Sequence, residues 1–97
     1  MSQLYLMVSG NVKNPELLAA YQEKAGPIMK KHGALLPAEK FSVSQVLAGD
    51  HQPTFFLRIA FNEIKDITSA FSDPDYTDII PLRDGAIGDL SIFISSA

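Results

Sequence analysis

Ninety-seven residues carry 8 Lys+Arg against 11 Asp+Glu, a formal net charge of -3, and no cysteine. The acidic balance argues against an electrostatic grip on nucleic acid, and the lack of thiols excludes disulfides, a thiolate nucleophile and cysteine-based zinc or iron-sulfur sites. The length fits one domain over residues 1–97, and the N-terminal apolar run is too short for a signal peptide or membrane span, so the chain is expected in the cytoplasm.

Leu4, Leu6 and Val8 alternate with Tyr5, Met7 and Ser9, the pattern of a first strand. Asn14-Pro15-Glu16 then reads as a helix start: Asn caps free amides, Pro suits the first helical position, and Glu complements the positive end. The helix is expected from Pro15 to about Lys31, with Leu17, Leu18, Tyr21, Ala25, Ile28 and Met29 on helical steps and Gly33 as its stop. Pro27 removes one ladder bond, which predicts a kink near Gly26 and a cavity below it. From Ala34 to Leu36 a strand begins, Pro37 to Lys40 breaks it, and Phe41 to Leu47 resumes it, giving a broken or bulged second strand.

Gly49 to Pro53 is a turn leading into Thr54 to Phe61, the third strand. Asn62 is expected to cap a second helix in which Ile64, Ile67, Ala70 and Phe71 share a face. Ser72-Asp73-Pro74-Asp75 ends it and starts a short segment holding Tyr76, Ile79 and Ile80, with an irregular end at Pro81 and Gly85. Leu90 to Ser95 is the last strand. The order predicts an α+β, ferredoxin-like βαββαβ domain, a four-stranded antiparallel sheet with helices on one face.

The strands carry bulk on both sides. Phe55, Leu57, Ile59 and Phe61 oppose Phe56, Arg58 and Ala60, while Leu90, Ile92 and Ile94 oppose Ser91, Phe93 and Ser95. One face is aliphatic, and the other is aromatic and polar. The predicted helices cover only one of them, so the open face is expected to be closed by a second copy of the chain.

Asn14-Pro15-Glu16 leading to Tyr21, Pro27, His32-Gly33, Leu47-Ala48-Gly49-Asp50 with Pro53, and Ser72-Asp73-Pro74-Asp75-Tyr76 followed by Arg83 occur in that order. In this spacing the chain resembles the domain-of-unknown-function family thirteen-thirty of the dimeric alpha-beta barrel superfamily. That family often has Trp after the Gly-Asp turn and Glu before the phenylalanine ending the third strand; here His51 and Ala60 stand there. The resemblance implies a homodimer whose sheets pack face to face into a barrel. It also implies relatives as varied as cofactor-independent oxygenases, haem-degrading enzymes, lactone isomerases and plain ligand binders.

Candidate site residues follow from chemistry on these elements. Tyr21 and Tyr76, each on a helical segment facing the sheet, are expected to line a substrate-binding pocket with Arg83, one hydroxyl donating to a ligand oxygen, or else the tyrosines are core residues and Arg83 pairs with Asp78 or Asp84 at a helix end. Arg58, a guanidinium on a sheet face, either clamps a substrate carboxylate or forms an interface ion pair. His32, at the negative end of the first helix, is a candidate general base or a surface cap, with Tyr76 the second catalytic candidate. His51 beside Asp50 is too weak a signal for metal ligation, and no phosphate loop or nucleophile elbow is present, so neither metal nor cofactor is expected. The functional expectation is a small-molecule pocket protein, an oxygenase or isomerase of a small aromatic or oxoacid, or a non-catalytic homodimer that binds a metabolite or another protein.

Overall fold

The computed structural model describes residues 3–96. Its elements run β1 (Leu4–Val12), α1 (Pro15–Lys31), β2 (Leu35–Ser42), β3 (Phe55–Phe61), α2 (Ile64–Ser72), α3 (Pro74–Thr77), α4 (Ile80–Ala86) and β4 (Ile87–Ser96). The strands form one antiparallel sheet in the order β2-β3-β1-β4. This is the ferredoxin-like arrangement expected, with three successive helices in the second crossover. Overall extents of 32 × 32 × 20 Å match two stacked layers, each about 10 Å thick.

Register assigns the two faces. Leu6 stands opposite Ile59 and Ile94, and Val8 opposite Leu57 and Ile92, so the aliphatic residues share one side. Leu6, Phe61, Ala25, Ile28, Met29, Ile67, Ala70, Tyr76 and Ile79 form the buried core between that side and the helices. Tyr5, Met7 and Ser9 face the other way beside Ala60, Arg58 and Phe56. There Phe41 and Phe56 stack with ring centroids 4.6 Å apart, and Phe93 remains 52% exposed. Among the described residues no segment of the chain roofs this face with a buried core.

The helix-start reading holds in detail at α1, where Asn14 Oδ1 accepts from the amides of Glu16 and Leu17, each at 3.1 Å. Gly33, at φ +97°, turns the chain out of α1. The helix continues through Pro27 without interruption. Four expectations need correction. With α2 starting at Ile64 the cap position falls on Glu63, which makes no side-chain cap, so Asn62 does not cap it. Strand β2 has the expected bulge-like irregularity, a register shift between Leu35 and Glu39, but its expected continuation to Leu47 is corrected: it stops at Ser42, where its partner β3 begins at Phe55, and Val43 to Leu47 is loop.

The segment around Pro81 and Gly85 is the helix α4 instead of an irregular end. Pro81 sits in its first turn, where a missing amide costs nothing, and at Gly85 a Cβ would lie only 3.0 Å from Leu17 Cδ1, so glycine lets α4 pack closely on α1. Strand β4 begins at Ile87, ahead of Leu90, because β1 shifts register between Ser9 and Asn11 and pairs onward through Gly88 and Ile87.

Candidate functional site

Beneath α1 the aliphatic face does not fill with side chains. A cavity of about 460 Å³ lies there, with Val8, Leu57 and Ile92 of the sheet on one side and Ala25 and Met29 of α1 on the other. Ligand pockets in proteins commonly run from about 300 to 1,000 Å³ and are mainly apolar with few polar groups. The side chains able to offer polar contacts here come from Tyr21, Gln22, Lys40 and Arg83.

Two of these belong to a hydrogen-bonded chain. Arg83 Nη1 donates to Tyr76 Oη at 3.1 Å, and Tyr76 Oη lies 2.9 Å from Tyr21 Oη. The rings of Tyr21 and Tyr76 meet edge to face, and Phe71 packs on Tyr76 at 4.8 Å. A guanidinium only donates, so the Tyr76 oxygen is the acceptor in the first bond. Tyr76 is 0% exposed, and a hydroxyl so buried must place its own proton on a partner, which Tyr21 supplies. Donation from Tyr76 to Tyr21 would satisfy the buried Tyr76 proton and free the Tyr21 hydroxyl to donate into the cavity. Burial first, and then the neighbouring Tyr76, push the Tyr21 phenol well above its ordinary range, so it serves as a donor and not as a base.

Tyr21 and Arg83 thus reach the cavity wall, while Tyr76 stands behind them as the link that orients both. The other sequence candidates lie elsewhere. His32 is the C-cap residue of α1, and its Nε2 is 2.8 Å from Asp73 Oδ2; it is not part of the cavity wall. Asp73 also accepts from Lys31 Nζ at 2.7 Å and from the Asp75 amide at 2.9 Å. These donors, Lys31 foremost, hold the Asp73 carboxyl far below the usual carboxylate range. Arg58 lies on the opposite, open face, hydrogen-bonded to Glu39 and stacked over the Tyr5 ring at 4.6 Å. This ion pair lies within the chain, and Arg58 is not among the residues that line the cavity.

A further cluster was not legible from the sequence. His51 Nε2 is 2.9 Å from Ser9 Oγ and its Nδ1 is 2.8 Å from Asp89 Oδ2, which also accepts from the Gln52 amide at 3.1 Å. Asp89 adopts a left-handed φ of +52° to reach this position. Residues from β1, the loop before β3, and β4 are tied together here on the open face. Among the described residues no group of His, Asp and Glu converges as a metal site, and no helix is long and apolar enough to cross a membrane.

This architecture defines the protein as a ferredoxin-like α+β domain with a cavity between helices and sheet. Solved structures share it at low sequence identity. A protein of unknown function from Rhodopseudomonas palustris superposes with a TM-score of 0.74 at 15% identity, covering 97% of this chain and 81% of its own. The hydroxynitrile lyase from Passiflora edulis gives 0.71 at 10% identity, over 98% and 93%. A dimeric ferredoxin-like protein of unknown function from Thermobifida fusca gives 0.62 at 8% identity, over 99% and 92%. No curated protein matches the chain by sequence. The family model described as Domain of unknown function (DUF1330) matches residues 3–96, and the chain belongs to that family.

Proposed function

We propose that this protein is a homodimer that binds a small, mainly apolar molecule in the cavity beneath α1, with an oxygen of that molecule accepting a hydrogen bond from Tyr21. The observation that carries this reading is the hydrogen-bonded chain Arg83–Tyr76–Tyr21 reaching an otherwise apolar cavity. A hydroxyl on an otherwise apolar wall is best satisfied by an oxygen of the bound molecule, so the wall suits a ligand that carries one. The homodimer reading rests on the open face, where Phe41 and Phe56 stack and Phe93 on β4 is exposed, and on the description of the Thermobifida fusca neighbour as dimeric.

A second reading is catalytic: a cofactor-independent oxygenase or isomerase of a small aromatic or oxoacid. The same donor favours it, since Tyr21 is placed to hold an oxyanion developing on a substrate carbonyl. Such chemistry also needs a base, and the ionisable groups on the cavity wall are Tyr21, kept protonated, and the cationic Lys40 and Arg83. His32, the base expected from sequence, is engaged with Asp73 instead. Binding without catalysis is therefore the better supported function, and the lyase neighbour bears on the fold alone.

Native mass spectrometry of gently purified protein tests both parts. The expected result is a dimer mass with a retained small molecule that is lost or weakened in Tyr21→Phe. A monomer at micromolar concentration removes the homodimer, and ligand retention unchanged in Tyr21→Phe removes the proposed contact.

A further inference from the structure

The cavity wall has a charge bias that the whole chain does not. Acidic residues outnumber basic ones over the chain, 11 to 8, yet the charged residues on the wall are Lys40 and Arg83, with no Asp or Glu among the lining. Strand pairing explains how Lys40 comes to be there. Lys40 stands opposite Leu57, whose side chain lines the cavity, so the two share the helix-covered face. Its chain neighbour Glu39 stands opposite Arg58 on the open face and is bonded to it. The alternation of a strand therefore sends the nearest carboxylate to the far side of the sheet, where Arg58 occupies it.

Lys40 is left uncompensated, and among the described residues it takes part in no ion pair. Arg83 differs: its Nε bonds Asp84 at 3.1 Å, its Nη1 serves Tyr76, and its side chain is only 16% exposed. Arg83 thus polarises the Tyr21 donor from within, while Lys40, on the exposed edge strand β2, carries the free charge. Lys40 also lines an adjoining shallow hollow with Val12, Phe41 and Phe55.

We infer that the cavity selects organic anions, molecules with an apolar body and a carboxylate that Lys40 pairs with, and that an uncharged or cationic molecule of the same shape binds less well. This rests on the binding reading above and adds the sign of the ligand's charge and the residue that reads it. A carbonyl or hydroxyl oxygen elsewhere on the same molecule meets Tyr21, so a keto or hydroxy acid uses both polar features.

The test compares three compounds with one apolar body, 4-phenylbutyrate, 4-phenylbutan-1-ol and 4-phenylbutylamine, by calorimetry on the full chain at low salt. Methyl shifts of Val8, Leu57 and Ile92 in NMR spectra locate the site. The acid is expected to bind about fivefold more tightly than the alcohol, the scale of a solvent-exposed ion pair, with the amine weakest. The preference for the acid over the alcohol should shrink in high salt and vanish in Lys40→Met, an exposed position. Equal affinity for acid, alcohol and amine overturns the inference and leaves the cavity reading standing. Acid preference that survives in Lys40→Met overturns the role of Lys40. No binding by any of the three, or shifts confined to Met7 and Phe93 on the open face, overturns the inference and the cavity reading together.

Discussion

The hydroxyls of Tyr21 and Tyr76, 55 positions apart in the chain, stand 2.9 Å from each other and join α1 to α3 across the core. Because Tyr76 also accepts from Arg83, removing its oxygen leaves a guanidinium donor and the Tyr21 hydroxyl without their buried partner. Tyr76→Phe is expected to cost about 1–3 kcal/mol in urea unfolding. A double-mutant cycle with Tyr21→Phe should show a coupling of about 0.5–3 kcal/mol, and strictly additive losses would mean that the two hydroxyls do not act as a pair.

Tyr21 gives stability a dependence on alkaline pH. Its phenol is raised in the folded chain, chiefly by burial, so the native state keeps a proton that the unfolded chain releases above about pH 10. Unfolded protein then binds fewer protons than native, and stability falls as pH rises beyond that point. Tyr21→Phe should flatten this fall. Ultraviolet titration of the folded protein should also lose one late-ionising tyrosine in the variant; an unchanged titration would assign the late step to another residue.

Acid acts through Asp73. Lys31, His32 and the Asp75 amide hold its carboxylate ionised below the usual range, so its contribution is complete above the unfolded value of about 4 and is lost as pH falls toward its depressed folded value. Asp73→Asn is expected to destabilise the protein at pH 7 and to show a shallower decline below about pH 4 than the wild type. Parallel acid curves for the two proteins would show that the clasp between α1 and α3 carries no pH-dependent stability.

At Gly10 the start of β4 leaves no room for a side chain on β1. A Cβ there would lie 2.5 Å from Ile87 Cγ2 and 2.9 Å from the Gly88 carbonyl oxygen, beside the register shift that sets Ser9. Gly10→Ala should therefore destabilise by about 1–3 kcal/mol through overpacking. Retained stability on thermal unfolding would mean that the strands part at no cost.

His51 fastens the loop before β3 onto the sheet through Ser9 and Asp89. Replacing it by Ala should release the Gln52 amide, which now donates to Asp89, and hydrogen exchange at Gln52 should quicken while exchange in β1 and β3 stays slow. Equal exchange at Gln52 in both proteins would show that the loop is held by other contacts, such as Thr54 N to the Gly10 oxygen at 2.9 Å.

Elements were readable where neighbours along the chain impose them. Asn14 caps α1 because the amides it serves are two and three residues away, and the alternation of Leu4, Leu6 and Val8 with Tyr5, Met7 and Ser9 names the two faces before any partner strand is known. Apart from the cap of α2, the corrected details depend on partners distant in sequence. Strand β2 stops where β3 has nothing left to pair, Gly85 lets α4 pack closely on Leu17, and β4 starts early because β1 bulges. Tyr21, Tyr76 and Arg83 were recognisable as candidates by residue type and by the family spacing they share. Their order, with Tyr76 behind and Tyr21 in front, was not.

The linear chain alone determined a two-faced sheet, a capped first helix, the order of elements and an acidic protein without thiols, since periodicity, caps and composition act locally. Only the folded molecule decided that His32 turns to Asp73, that Arg58 lies across the sheet from the cavity, that Ser9, His51 and Asp89 meet, and that Lys40 faces the cavity without a carboxylate. The reason is register. In a strand a shift of one residue exchanges the faces, and which side chain meets which is fixed by pairing between segments that sequence spacing leaves unrelated.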